Sequence, residues 1–195
     1  RHSARRSVSF QLFSGPKDKA VTLTWAELHG QSCQAANLFR RLGVGEGDVV
    51  AYLLPNCTEI VTTLLGGAIA GIVNPINPLL AANQIAAILR ETGAKVLVTL
   101  KAFPKSDVAQ KAAQALLHAP GVTTVLEVDL VRYLTPPKSW IVPFVRPKYG
   151  VHHKARVLEF NIERNKELPT LGFADASGVR VCAYGHTGGT TGRPM

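Results

Sequence analysis

The chain has 195 residues, of which 46% are hydrophobic and 18% charged, and its formal net charge is +9. That balance excludes intrinsic disorder, and the length allows one substantial core or part of a larger domain. The longest apolar run, Ile60 to Val73, has 14 residues, too few to span a bilayer.

The cations are dispersed except over Arg1 to Arg6 and Lys138 to Arg156. No aromatic residues interleave with them in the manner of an RNA-binding sheet, so nucleic acid is not an expected partner. Cys33, Cys57 and Cys182 are scattered, with no C-x-x-C and no ligand spacing to the six histidines. Reduced thiols in a cytoplasmic protein, and no metal, are the expectation. Met195 is the only methionine and Arg1 opens the chain, so the sequence is read as part of a longer protein.

Val8, Phe10 and Leu12 alternate, and after the turn signal Gly15-Pro16-Lys17-Asp18 so do Val21 and Leu23, which predicts a hairpin. Thr24-Trp25-Ala26-Glu27 has the spacing of a capping box. Behind it Leu28, Ser32, Ala35, Phe39 and Leu42 share a helical face, and Gly43 stops the helix. Val49 to Leu54 is a continuous apolar strand. Asn56 with Glu59 is expected to cap the next helix, whose apolar face is Ile60, Val61, Leu64, Leu65, Ala68, Ile69 and Ile72. Gly67 and Gly71 form a GxxxG, read as close packing against a sheet. Asn74-Pro75-Ile76-Asn77-Pro78 is an extended crossing.

Ala82 to Thr92 is the next helix, Lys95 to Leu100 a strand, Asp107 to His118 a helix and Val122 to Leu130 a strand. Alternation with short links predicts βαβ units: an α/β fold, a parallel sheet with helices on both faces. Residues 134–154 interrupt the rhythm as an irregular loop, because Pro136, Pro137, Pro143 and Pro147 forbid a long helix. Within it Trp140, Ile141, Val142, Phe144 and Val145 lie between cations. Packing on further parts of the protein is the preferred reading, and membrane-surface contact by 134–149 the second. His152-His153 is read as a solvated pair. Ala155 to Glu167 is predicted helical, with Val157, Leu158 and Ile162 on one face, and Val179 to Tyr184 is the last strand.

That strand leads into Gly185-His186-Thr187-Gly188-Gly189-Thr190-Thr191-Gly192. Glycines let successive N–H groups converge on one anion, and threonine hydroxyls add donors. Arg193-Pro194 follows where a Walker A loop needs Lys-Ser or Lys-Thr, so this is not that motif. It resembles the phosphate-binding signature of the adenylate-forming enzymes, Thr-Ser-Gly-Thr-Thr-Gly-x-Pro-Lys-Gly, with Gly188 for serine and Met195 for lysine. Leu23-Thr24-Trp25-Ala26-Glu27-Leu28 and Gly71 to Pro78 resemble two further motifs of that family, in the family's order.

The His-Thr-Gly-Gly-Thr-Thr-Gly form is most similar to acyl-CoA synthetases. The resemblance implies that residues 1–195 are the N-terminal portion of an AMP-binding domain, with the C-terminal parts of the enzyme absent. It implies ATP, Mg2+ and CoA as cofactors and a small-molecule carboxylic acid as substrate. Thr187, Gly188, Gly189, Thr190, Thr191 and Gly192 would bind the ATP phosphates, and no catalytic or metal-ligating residue is assigned. The 195 residues alone are expected to be inactive. The competing reading is a non-catalytic α/β module that binds nucleotide or a partner, which Met195 in the lysine position favours.

Overall fold

A computed structural model of the chain describes residues 3–12, 20–174 and 178–186. β1 (Arg6–Phe10) and β2 (Val21–Thr24) form an antiparallel hairpin. Its Gly15 to Asp18 turn lies outside the described residues. α1 (Trp25–Arg41) begins with the capping box: Glu27 N–H donates to Thr24 Oγ1 (3.2 Å) and Thr24 N–H to Glu27 Oε2 (2.7 Å). Such a cap contributes about 1 kcal/mol. Leu28, Ser32, Ala35 and Phe39 are buried on one face, and Gly43 at φ +86° ends the helix.

β3 (Val49–Leu53), α2 (Thr58–Ala70), β4 (Ile72–Pro75), α3 (Ala82–Glu91), β5 (Ala94–Leu100), α4 (Val108–Leu116) and β6 (Thr124–Val128) follow. α5 (Lys138–Ile141), β7 (Arg156–Glu159) and α6 (Phe160–Arg164) complete the set. The five strands from β3 onward form one parallel sheet in the order β4-β3-β5-β6-β7. α1 packs on α2 and α6, and α3 on α4, so the helices fall into two groups. All five residues of β3 are buried, as a strand covered on both faces requires. The core runs through Phe39, Val50, Leu53, Ile85, Leu97, Leu126 and Phe160. Each such side chain contributes about 1.5–3 kcal/mol by leaving water.

Three expectations are corrected. The stretch 155–167 is not one helix. Val157 and Leu158 pair with Val125 and Leu126 as β7, and the helix starts only at Phe160. The open edge of β6 offers backbone partners that a local helical pattern cannot outweigh. Asn56 does not cap α2; the N-cap is Cys57, with no side-chain hydrogen bond. Glu59 is instead drawn inward and is fully buried.

The predicted apolar face of α2 is also displaced. Thr58, Glu59, Thr62, Thr63, Gly66, Gly67 and Ala70 are the buried side, while Leu65 is exposed and Ile60, Leu64, Ala68 and Ile69 are half-buried. Glycine explains the inversion. A Cβ on Gly66 would lie 2.6 Å from the Cβ of Ala35, and one on Gly67 3.1 Å from the Cβ of Val73. The small side of α2 thus lets α1 and the sheet approach closely, and the larger aliphatic groups are left at the flanks.

Gly71 is tighter still: a Cβ there would lie 2.5 Å from the carbonyl oxygen of Asp48 and 2.6 Å from that of Gly45. Both obstacles are backbone. Gly71→Ala is therefore expected to destabilise the fold by about 1–3 kcal/mol. Urea unfolding measures this, and an unchanged midpoint would contradict the close approach.

Candidate functional site

The predicted phosphate-binding residues Thr187, Gly188, Gly189, Thr190, Thr191 and Gly192 lie outside the described residues. The structure places the segment that delivers them. Val73 N–H donates to the Cys182 carbonyl and Tyr184 N–H to the Val73 carbonyl, both at 2.9 Å. These bonds make one parallel bridge, Val73 to Ala183, on the outer edge of β4. The expected strand Val179 to Tyr184 is thus reduced to a bridge. Val179 and Val181 are exposed, and apolar alternation makes no ladder without a second partner strand.

The direction is what matters. Running parallel to β4, the chain passes Tyr184 toward the end where β4 gives way to Pro75-Ile76-Asn77. Gly185 and His186 follow and, with Glu91, Thr92, Ala183 and Tyr184, line an open cleft of about 340 Å³. Asn74 is fully buried, with its Nδ2 3.4 Å from Thr92 Oγ1. Asn74 Oδ1 and His186 Nδ1 are buried without a hydrogen-bond partner among the described residues. The order of the strands puts the topological switch point between β3 and β5, so the bridged segment is separated from it by β4 and β3.

Polar side chains that the sequence did not single out hold this approach in place. After α6 the chain crosses α1, where Asn37 Nδ2 donates to the carbonyls of Leu168 (3.0 Å) and Thr170 (2.8 Å). Asn37 Oδ1 accepts from Gly172 N–H at 2.8 Å. Arg41 bridges Glu163 and Glu167 at 2.9 and 2.5 Å. Next, the Arg180 guanidinium donates to the carbonyls of Gly71 (2.7 Å), Ala68 (2.5 Å) and Ile69 (3.0 Å). Those are the last carbonyls of α2, which have no acceptor role inside the helix and sit at the negative end of its dipole. The only signal in the sequence was a cation inside the apolar run Val179-Arg180-Val181-Cys182.

A second polar cluster sits above the carboxyl ends of β3, β6 and β7. Glu59, fully buried, accepts from Tyr133 Oη (2.6 Å), Arg132 Nη1 (2.6 Å) and Asn161 Nδ2 (3.1 Å). Burial pushes the Glu59 carboxyl up in pKa, but the Tyr133 hydroxyl and the Arg132 charge outweigh it and hold it below the usual value. Burial and the Glu59 charge push Cys57 up to about 12, so that thiol is not a nucleophile. The Tyr133 hydroxyl rises for the same two reasons. Phe10 meets the Tyr133 ring edge-on at 4.9 Å, which ties the hairpin to the cluster. The cluster joins the first turns after three strands, with the Glu59 carboxylate buried and Arg132 reaching the surface. Among the described residues no group of three His, Cys, Asp or Glu side chains is placed to hold a metal ion. The described residues therefore supply no three-residue ligand set for Mg2+.

A doubly wound α/β unit of this kind belongs to a class of folds that bind ligands beyond the carboxyl ends of their parallel strands. Comparison with known proteins makes the class specific. The chain belongs to the AMP-binding enzyme family, whose model matches residues 1–194. It is 34% identical over 190 residues to a marinolic acid–CoA ligase of a Pseudoalteromonas species, covering 97% of this chain and 26% of that protein. It is 30% identical over 182 residues to a long-chain-fatty-acid–CoA ligase of Bacillus subtilis, covering 88% and 31%. An acetyl-coenzyme A synthetase of Gemmatimonas aurantiaca is 27% identical over 198 residues, covering 99% and 29%. The chain thus spans about a quarter to a third of the length of these relatives.

Two solved structures share the fold with a TM-score of 0.68. One is an anthranilate CoA ligase in complex with anthranoyl-AMP (22% identity, 89% of this chain and 29% of that one). The other is an acyl-CoA synthetase of Brucella canis (20% identity, 96% and 29%).

Proposed function

We propose that this chain is the N-terminal portion of an ATP-dependent acyl-CoA synthetase and carries its phosphate-gripping loop. The reaction has two steps: a carboxylate displaces pyrophosphate from ATP to give an acyl-adenylate, and the CoA thiol then displaces AMP. Thr187, Thr190 and Thr191 donate hydroxyls to the departing phosphates, and Gly188, Gly189 and Gly192 let the backbone come close. Charge neutralisation on the leaving group is what such a loop contributes. The observation that supports this reading is the parallel bridge of Ala183 to Val73, which sets the direction of the chain toward residues 185 and 186. CoA ligase names among the relatives support the reaction type. Their names give different acids, marinolic acid and long-chain fatty acids, so the substrate is proposed only as a small-molecule carboxylic acid. The enzyme is assigned to the cytoplasm.

The test is carboxylate-dependent exchange of pyrophosphate into ATP by the protein encoded by the complete reading frame. Exchange is expected, and Thr190→Val should reduce it by roughly 10²-fold with little change in melting temperature. The 195-residue chain alone should show none, and exchange by it would refute the inactivity of the fragment. If the complete protein binds ATP but no carboxylic acid supports exchange, a non-catalytic nucleotide-binding module replaces the ligase.

A further inference from the structure

On the face of the sheet where α4 packs on β5, the neighbouring strand β6 meets the irregular segment 149–153 rather than a helix. An extended segment fills less space than a helix, and a pocket of about 160 Å³ is left between α4, the two strands and that segment. Its apolar wall is Ala109, Ala112, Ala113 and Leu116 of α4 with Val125 of β6, and the alanines are too short to fill it. With α4 on one side, the strands beneath and residues 149–153 on the other, the hollow lies inside the packing of this unit and not on an outer face. It sits over β5 and β6, away from the β4 edge that leads to residues 185 and 186.

The polar side chains lining it are Thr99, Glu127, Tyr149 and His153. Thr99 and Glu127 stand side by side in the register of β5 and β6. The Thr99 hydroxyl donates to the Leu53 carbonyl at 3.2 Å and the Tyr149 hydroxyl to the Ser106 carbonyl at 3.3 Å. A hydroxyl has a single proton to give, so both oxygens have only acceptor capacity left. The Glu127 carboxylate takes no hydrogen bond and no ion pair among the described residues. Burial raises its pKa, Lys101 and Arg146 draw it down, and Asp129 and Glu159 push it up. Neither cation lines the pocket, and Arg146 is committed to Asp129 Oδ2 (2.6 Å) and the Ala102 carbonyl (2.8 Å). Burial also holds the His153 imidazole below its usual pKa, and the backbone of Ala155 only partly opposes it. A neutral imidazole has one acceptor nitrogen, and His153 Nδ1 is buried without a hydrogen-bond partner among the described residues. The lining thus offers acceptors and a negative charge, and no side-chain cation.

We propose that this pocket binds a small organic ammonium ion, a primary amine on an apolar body, with its N–H groups on Glu127 and Thr99 and its body against the α4 alanines. A primary ammonium supplies three donors and the countercharge that Glu127 lacks. A cavity of about 150 Å³ holds benzene, which sets the size of the body. A carboxylate would meet Glu127 as a like charge. A divalent metal ion would find one carboxylate and one imidazole, short of the ligand set it needs. A lysine reaching in from the rest of the protein is the competing occupant, and it would make Glu127 a buried ion-pair partner. Amine binding is measured without ATP or acid, so it stands or falls separately from the ligase reading.

The experiment titrates benzylamine into the complete protein at neutral pH in a calorimeter, with benzyl alcohol as the uncharged isostere. Benzylamine is expected to bind, and benzyl alcohol to bind roughly tenfold or more weakly. Glu127→Gln should weaken benzylamine by about tenfold or more, and Ala113→Leu, which fills the pocket, should abolish binding. Because burial raises the Glu127 pKa, its ionised form is costly in the folded protein at neutral pH, and Glu127→Gln is expected to melt no lower than the wild type. Absence of benzylamine binding overturns the proposal. So does binding that Glu127→Gln leaves unchanged, or that benzyl alcohol matches. A Glu127→Gln protein that melts several degrees lower, beside a wild type that binds no benzylamine, assigns the pocket to a lysine of the rest of the protein and overturns it as well.

Discussion

Replacing Glu59 by alanine is expected to lower stability by about 3–5 kcal/mol, because it leaves the groups around a fully buried carboxylate without their acceptor. Arg132, Tyr133 and Asn161 all aim at that one side chain, from the turns after β6 and β7, while Glu59 comes from the turn after β3. The loss is larger than one hydrogen bond because three donors lose their shared acceptor together, with only Asn161 Oδ1 left to Arg132 and Thr58 Oγ1 to Tyr133. A fall in melting temperature on the order of 10 °C follows for a chain of this size. Glu59→Gln keeps the shape and one acceptor and should lose less. An alanine variant that melts with the wild type would remove the cluster from the account of the fold.

The same carboxylate sets an acid limit. Its pKa in the folded protein lies below the ordinary value, so folding favours the ionised form. The stabilisation is complete above the unfolded-state pKa of about 4.3 and is lost as pH falls through the lower, folded value. Arg132→Met removes one of the groups that lower it. Acid unfolding should then begin at a higher pH than in the wild type. Coincident acid transitions would contradict the assignment.

If the proposed ligase reaction holds, Arg180→Met in the complete protein is expected to lower kcat/KM for ATP by roughly 10²-fold, the effect of a reacting group misplaced by about 1 Å. Arg180 contacts no phosphate in this account and acts by position. It ties residues 178–186 to carbonyls at the C-terminal end of α2, three residues before Ala183, which bridges to Val73. Arg180→Lys retains the charge but not the forked donors, and should fall between. The two half-reactions separate positioning from general damage. Pyrophosphate exchange, which uses the loop, should drop, while transfer from a supplied acyl-adenylate to CoA should change little. An equal loss in both, tracking the melting temperature, would reduce Arg180 to a stability residue.

How much was legible depended on whether the signal was local. The Thr24 and Glu27 cap, the stop at Gly43 and the uninterrupted apolar run of β3 are each set by neighbours within four residues, and they stand as read. The parallel order followed from the alternation of elements. Glu59 was misread because a carboxylate at a helix start looks like a cap, and its real partners are 73, 74 and 102 residues away. Val157 and Leu158 fit a helical face until the edge of β6 supplied backbone bonds.

By itself the sequence determined the class of fold, through periodicity, and the family, through motifs that resemble the adenylate-forming enzymes. Periodicity is a local property of the backbone, and a run of glycine and threonine has few other uses beside a strand. Only the tertiary structure decided which side of α2 is buried, since that depends on how closely Ala35 and Val73 approach Gly66 and Gly67. It also decided where the loop enters, because Arg180 and Val73 become its anchors only when residues more than a hundred positions apart are brought within hydrogen-bonding distance.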